Sequence, residues 1–242
     1  MPHSLIDLLW RDHHEAPGGR SRGPTARVST ANVVDTAIRM ADGDALSSVT
    51  IRRLAAELDV SAMSIYTHVN SRDDLLVLMV DAAHARMDRP SFGRFGWRTR
   101  VQRVAEANLA LHQAHPWLGD VMDDRTALGP GTIAKYDHEL HAFDELELDD
   151  VVRDAALTFV LDFVRASGRA HLPGRRAEEL AQLWASVAPR LAAYVGEDFP
   201  LAARVGSAAG EALQGAYSPQ DAWRFGLDRV IDGLSTLRQE PT

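Results

Sequence analysis

The chain has 242 residues, 26 Lys and Arg against 34 Asp and Glu, a net charge of -8 and no cysteine, so it is long enough for one large domain or two smaller ones. The missing cysteine excludes disulfide frameworks and thiolate chemistry and suits a reducing compartment. Apolar runs fall far short of a membrane span and the N-terminus lacks a signal-peptide pattern, so a cytoplasmic location with no membrane partner is expected.

Residues 1–28 read as an extension. Ser4 to His13 has the pattern of a short amphipathic helix, and Ala16 to Arg27 is a Gly, Pro and Arg segment that should be flexible. Arg20, Arg22 and Arg27 are placed to reach a minor groove, as basic arms do, but a merely flexible terminus carries more weight. A helix is expected from about Ser29 to Ala41, with Val33, Val34, Ala37, Ile38 and Ala41 inward and Asp42-Gly43 ending it.

The stretch from Val49 to Arg72 then reads as helix, tight turn, helix. Thr50 is a good N-cap, and Ile51, Leu54, Ala55 and Leu58 follow at the spacing of one apolar face. The pattern restarts at Ser61 with Ala62, Ile65, Tyr66 and Val69. Two short helices joined so closely must cross steeply, which is the helix-turn-helix, whose second helix enters the major groove. Two core helices of an ordinary helical domain would show the same apolar spacing. Against that, Ser64, Tyr66, Thr67 and His68 are polar but mostly uncharged, where a solvated face would carry Lys and Glu. A further helix starts at Ser71 with Leu75, Leu76, Met79, Val80 and Ala83 inward, and Pro90 to Gly96 forms a linker.

Residues 29–89 resemble the DNA-binding domain of the tetracycline-repressor (TetR) family of bacterial transcriptional regulators. The resemblance rests on Val33 and Ala37, Thr50, Leu54-Ala55, Val60-Ser61, Tyr66 with His68-Val69, Arg72 and Leu75-Leu76. It implies that Arg52 reaches a base edge, where arginine grips guanine bidentately, and that Ala62, Met63, Ser64 and Thr67 face the groove. It further implies phosphate contacts from Tyr66, His68 and Arg72, and one from Thr50 at a helix N-terminus. The family usually has glycine where this chain has Asp59, because the residue after the first helix tends to need positive φ. The segment that would read DNA is itself acidic, with six basic and nine acidic residues between 29 and 89, so phosphate attraction must be local.

From Trp97 onward all periodic stretches are helical, giving an all-α fold: a helix-turn-helix domain over 29–89 and a C-terminal helical bundle over 90–242 for ligand binding and dimerisation. Helices are expected at about 97–114, 116–123, 130–146, 149–168, 175–195 and 219–238, with irregular or short helical structure at 196–218. Val151 to Val164 is apolar around most of its circumference, as in a helix buried on two sides. Trp223, Leu227, Val230, Leu234 and Leu237 follow a coiled-coil-like seam that intrachain packing would also explain. The resemblance favours a homodimer made by this pair of helices, presenting two heads to a pseudo-palindromic operator.

A small-molecule pocket is expected where polar groups interrupt apolar stripes, since burying them unpaired is costly. Asn108, His112, Tyr136 and Asp162, with Phe143, Phe159, Trp117 and Trp184, would line it and suit a lipophilic inducer with a few polar handles. The competing reading is that the polar groups are satisfied within the core, with Asp162 paired to an arginine such as Arg165. His138 and His141 have metal-ligand spacing, yet no third ligand is identifiable and a charged solvent face is the better reading. No cofactor is expected. By the resemblance, the protein represses transcription and an inducer shifts its population off DNA, with residues 71–89 as the lever. The alternatives are an all-helical metal-dependent enzyme, against which stands the lack of G-x-S-x-G, P-loop and H-E-x-x-H patterns, and a regulator controlled by a protein partner.

Overall fold

A computed structural model describes residues 4–15, 28–170, 175–195, 198–213 and 217–237, and among them every regular element is helical. The segment holding Arg20, Arg22 and Arg27 lies outside the described residues.

The N-terminal helix α1 spans Leu5–Leu9, capped by Ser4, and buries Leu8 and Leu9. Helix α2, Thr30–Gly43, opens on a reciprocal capping box between Ser29 and Asn32 and buries the five expected apolar residues. Thr50 caps α3, Ile51–Glu57, and Ser61 caps α4, Ala62–Ile65. Ser71 caps α5, Arg72–Arg86, by accepting from the Asp74 amide. Each start therefore uses a hydroxyl to satisfy an amide that the helix leaves unpaired.

Asp59 adopts φ 52° in the turn between α3 and α4. The Val60 amide donates to the Ala55 carbonyl at 3.0 Å and the Asp59 amide to Ala56 at 3.2 Å. This pair of bonds is the Schellman termination, in which one left-handed residue stops the helix and turns the chain. The positive φ that glycine usually supplies is thus met by aspartate, which tolerates it better than other side chains.

The body contains α6 (Trp97–Ala114), a 3-10 turn at Pro116–Asp120, another at Asp124–Leu128, and α7 (Pro130–Leu140), which runs on as a 3-10 turn over His141–Leu146. Next come α8 (Asp150–Ala170), α9 (Arg175–Val195), α10 (Pro200–Leu213) and α11 (Pro219–Leu234). The expected 116–123 helix is the 3-10 turn at Pro116–Asp120. Residues 200–213, expected to be irregular or short helical structure, form the regular 14-residue α10. Its interior Gly206 and Gly210 and its run of small residues give no strong stripe to read.

Two cores result. The first joins α1 to α5 and takes in Leu111, Trp117, Leu118 and Val121 from the body. The second packs α6, the His141–Leu146 turn, α8 and α11 around Phe143, Leu157, Val160 and Leu227. The seam of α11 is spent inside the chain: Leu227, Val230 and Leu234 are buried, with Trp223 and Leu237 packed against them. Gly226 lets α11 approach the Phe163 ring of α8, which also stacks on Trp223 at 5.2 Å. The outer faces of α8 and α11 carry the exposed Val151, Phe159 and Phe225.

If Asp59 is a left-handed hinge, Asp59→Ala lowers unfolding stability by about 1 kcal/mol while Asp59→Gly does not. Urea denaturation of the two variants beside the parent chain measures it.

Candidate functional site

Helices α3 and α4 share one outer face. Behind it, Leu54, Ala55, Ile65 and Val69 are buried and anchor the pair to α2 and α5. Ahead of it, Arg52, Ala62, Met63, Tyr66 and Thr67 are exposed, Met63 at 74% and Tyr66 at 49%. Met63 and Tyr66 thus place apolar and aromatic surface side by side in water at the end of α4. The spacing that put Ala62 and Tyr66 on the inward stripe is corrected here, since four helical residues cannot carry a full second face. Ser64 is half-buried and shares a 2.9 Å hydrogen bond with the Ser61 hydroxyl, while the Thr67 hydroxyl donates to the Ser64 carbonyl at 2.7 Å.

Two expected phosphate contacts are placed differently. The Arg72 guanidinium turns inward and donates to the carbonyls of Val49 (2.7 Å) and Leu46 (3.0 Å), fixing the approach to α3. His68 is half-buried with Nδ1 3.2 Å from the Thr30 hydroxyl, and burial lowers its pKa. Such an imidazole is neutral at pH 7, and with Nδ1 accepting from Thr30 it keeps an Nε2–H free to donate. Thr50 spends its hydroxyl on the Arg53 amide.

Five of the nine carboxylates of this domain are engaged with named partners, while Glu57, Asp59, Asp73 and Asp88 are exposed. Asp42 accepts from Trp117 Nε1 (2.7 Å) and contacts His115 Nδ1 (2.8 Å). Asp74 pairs with Arg125 at 2.8 Å, and Asp35 and Asp44 pair with Arg86 and Arg53. Asp81, on α5, accepts from the Thr132 amide of α7 at 2.9 Å. Burial raises the Asp81 pKa, and its bonds to the backbone of Thr132 and Gly131 and the nearby Arg11 hold it down in part.

That bond to Thr132 caps α7 from outside. Gly129 offers α7 no side-chain cap and Pro130 no N–H, so the carboxylate of another helix satisfies the free amides of the first turn. Side chains at Gly129 and Gly131 would collide with Asp81, and at Gly131 also with the Ala85 Cβ at 2.8 Å. One turn along α5, His84 Nδ1 lies 2.9 Å from the Thr132 hydroxyl. The tip of α1 joins the same junction, Trp10 Nε1 donating to the Leu128 carbonyl at 2.9 Å.

Beyond His84 opens a cavity of about 220 Å³ between α5, α6, α7 and α8. Four of the expected residues line it: Asn108, His112, Tyr136 and Asp162. His84, Thr132, Lys135 and Glu139 line it too and were not expected there, and so does Arg165, expected only as an ion-pair partner of Asp162. Lys135, the chain's single lysine, is 7% exposed and pairs with Glu139, 2% exposed, at 2.7 Å; Asn108 Nδ2 donates to the other Glu139 oxygen at 2.5 Å. The signal was present, since Lys135 and Glu139 fall on one helix face four residues apart.

Four expected lining residues are elsewhere. Trp117 is buried at the Asp42 contact, Phe143 is fully buried in the second core, Phe159 is 53% exposed on the outer face of α8, and Trp184 lies half-buried on α9. Aromatic bulk marks core, cavity and partner surface alike, so it could not select among them. His138 and His141 diverge: Nε2 of His138 meets the Pro90 carbonyl at 3.1 Å, and Nδ1 of His141 meets Asp144 at 3.0 Å.

A family description, tetracyclin repressor-like C-terminal domain, matches residues 89–238. The chain belongs to the tetracycline-repressor family. The TetR-family assignment extends over nearly the whole chain: it is 30% identical over 240 residues to the HTH-type transcriptional repressor DrrR1 of Streptomyces coeruleorubidus, covering 96% of this chain and 85% of that one. The TetR family protein ActR of Streptomyces coelicolor, solved in complex with actinorhodin, has the same fold, with TM-score 0.73, 23% identity, and 89% and 100% of the two chains covered. BioQ with its natural double-stranded DNA operator matches at TM-score 0.52 and 20% identity over 86% and 98%.

Burial lowers the pKa of His84 to about 3 and of His112 to about 4, helped by Lys135 and Arg165. The unfolded chain takes up protons near pH 6.5 that the folded histidines refuse, so stability present above that pH is lost as pH falls toward 4. Replacing both by glutamine is expected to remove on the order of 4 kcal/mol, about 2 from each histidine, of the stability lost between pH 7 and 5. Denaturant midpoints of both proteins across that range check it.

Proposed function

We propose that this TetR-family protein is a ligand-released repressor that binds a pseudo-palindromic operator as a homodimer. The observation that carries the DNA reading is the outer face of α3 and α4, where Arg52, Ala62, Met63, Tyr66 and Thr67 stand exposed over a buried Leu54, Ile65 and Val69. Arg52 supplies bidentate base readout, Ala62 and Met63 apolar contact with thymine methyls, and Ser64 and Thr67 hydrogen bonds at the groove. Tyr66, Thr50 and the free Nε2–H of His68 meet phosphates. Arg72 acts one step back, holding the Leu46–Val49 turn that seats Thr50.

Residues 29–89 form the reading head and 90–242 the sensing and dimerisation body, with α5 common to both. The inducer enters the cavity lined by His84, Asn108, His112, Thr132, Lys135, Tyr136, Glu139, Asp162 and Arg165. Only a ligand that prefers one head spacing over the other moves the protein off DNA. The partner surface is the outer side of α8 and α11, where Val151, Phe159 and Phe225 await cover. The protein acts by binding and not by catalysis, and it works in the cytoplasm, where its DNA is. No helix among the described residues is long and apolar enough to cross a membrane.

Fluorescence anisotropy with duplex DNA from upstream of its own gene, at physiological salt and beside a scrambled duplex, tests this reading. Saturable binding to the native duplex is expected. Arg52→Ala should weaken it by roughly 10- to 100-fold, in line with about 1–3 kcal/mol for a lost base contact, and Tyr66→Ala should weaken it with less change in sequence preference. Equal, feeble binding to both duplexes would count against it.

A further inference from the structure

The cavity is lined by two cations and two carboxylates, of which Lys135 and Glu139 are paired with each other. Glu139 is its deeply buried carboxylate, and both oxygens are occupied, one by Lys135 and one by Asn108. Arg165, from α8, is solvent-exposed and has no carboxylate partner among the described residues; its Nη1 lies 3.9 Å from the Met122 sulfur. Asp162 lies one turn before Arg165 and makes no ion pair with it.

The histidines sit among these cations. α5 presents His84, α6 presents Asn108 and His112, α7 presents Thr132, Lys135, Tyr136 and Glu139, and α8 presents Asp162 and Arg165, with Arg169 beyond. The charges felt by both His84 and His112 are those of Lys135 and Arg165, with Arg169 added at His112 and His112 added at His84. α8 closes directly over His112, where a side chain at Gly168 would come within 2.9 Å of the His112 Cβ. The lining charges balance once Asp162 is counted, but Arg165, solvent-exposed and without a carboxylate within ion-pair reach among the described residues, stands beside two desolvated neutral imidazoles.

We infer that the cavity takes a small ligand bearing an acidic group, a carboxylate or ionised phenol, seated between Arg165 and the His84–His112 pair, and that seating it draws a proton from solvent onto that pair. The inference rests on the reading of this cavity as the inducer site. Burial is the main reason both histidines stay neutral and the nearby cations add to it; an anion seated there offsets those cations, and the imidazolium formed gives it a charge-assisted hydrogen bond beside that of the guanidinium. At about 220 Å³ the cavity is smaller than the roughly 300–1,000 Å³ of drug-sized sites, which suits a probe of a single substituted ring.

Titration calorimetry on the full-length protein at pH 6.5 tests this with benzoate, benzamide and benzylamine, in two buffers of different ionisation enthalpy. Benzoate is expected to bind at least ten-fold tighter than benzamide, with an observed heat that changes between buffers as proton uptake requires. Arg165→Gln should erase the preference for acid over amide, and His112→Gln should reduce the uptake. Benzamide or benzylamine binding as tightly as benzoate would overturn the acid assignment and leave the cavity as a ligand site. Benzoate binding with a buffer-independent heat would overturn the proton step. Binding of none of the three would overturn both this inference and the reading beneath it.

Discussion

The junction at which Asp81 of α5 caps the first turn of α7 constrains everything else in this chain. A helix that begins Gly-Pro-Gly has no cap of its own, and the two glycines leave room for a carboxylate from outside. The bond from the Thr132 amide to Asp81 and the contact of the Thr132 hydroxyl with His84 tie two successive turns of α5 to one residue of α7. α5 packs along α7 on one side and against α2 on another, so it is a wall of the cavity and a strut of the reading head together. Close-packed elements of this kind shift as units and do not deform continuously, which is what a switch needs.

The charge pattern follows from the same arrangement. An acidic reading head looks ill-suited to DNA until its carboxylates are located. Asp42, Asp74 and Asp81 each accept from a donor in the body, and Asp35 and Asp44 are matched by arginines of the head itself. Three of these carboxylates tie head to body, while Arg52, Met63 and Tyr66 are exposed on α3 and at the end of α4. Net charge thus describes the domain poorly; its distribution over the surface decides the encounter with phosphate.

What the sequence revealed was what depends on local chemistry. Caps at Thr50, Ser61 and Ser71 were readable because a hydroxyl before an apolar stripe has one cheap use, and the inward faces of α2 and α5 followed from their spacing. Asp59 could be read as the left-handed turn because the alternatives to glycine there are few. The cavity was only half legible. Asn108, His112, Tyr136 and Asp162 break apolar stripes and so stood out. His84 and Lys135 did not, since a polar residue near a helix end or beside an acidic one looks like surface until the neighbouring helices are placed. The seam on α11 shows the limit from the other direction: spacing establishes that Leu227, Val230 and Leu234 are covered, and not whether the cover is the same chain or another.

The claim that α5 transmits the state of α7 to the reading head is open to one direct measurement. The chain has no cysteine, so Glu57→Cys places a single spin label on the exposed end of α3 in each protomer, and dipolar spectroscopy reads the spacing of the two heads. Gly131→Ala, which forces α7 against the Asp81 backbone far from α3, is expected to shift that spacing while helix content stays unchanged. An unchanged distance distribution in a folded Gly131→Ala dimer would contradict the account.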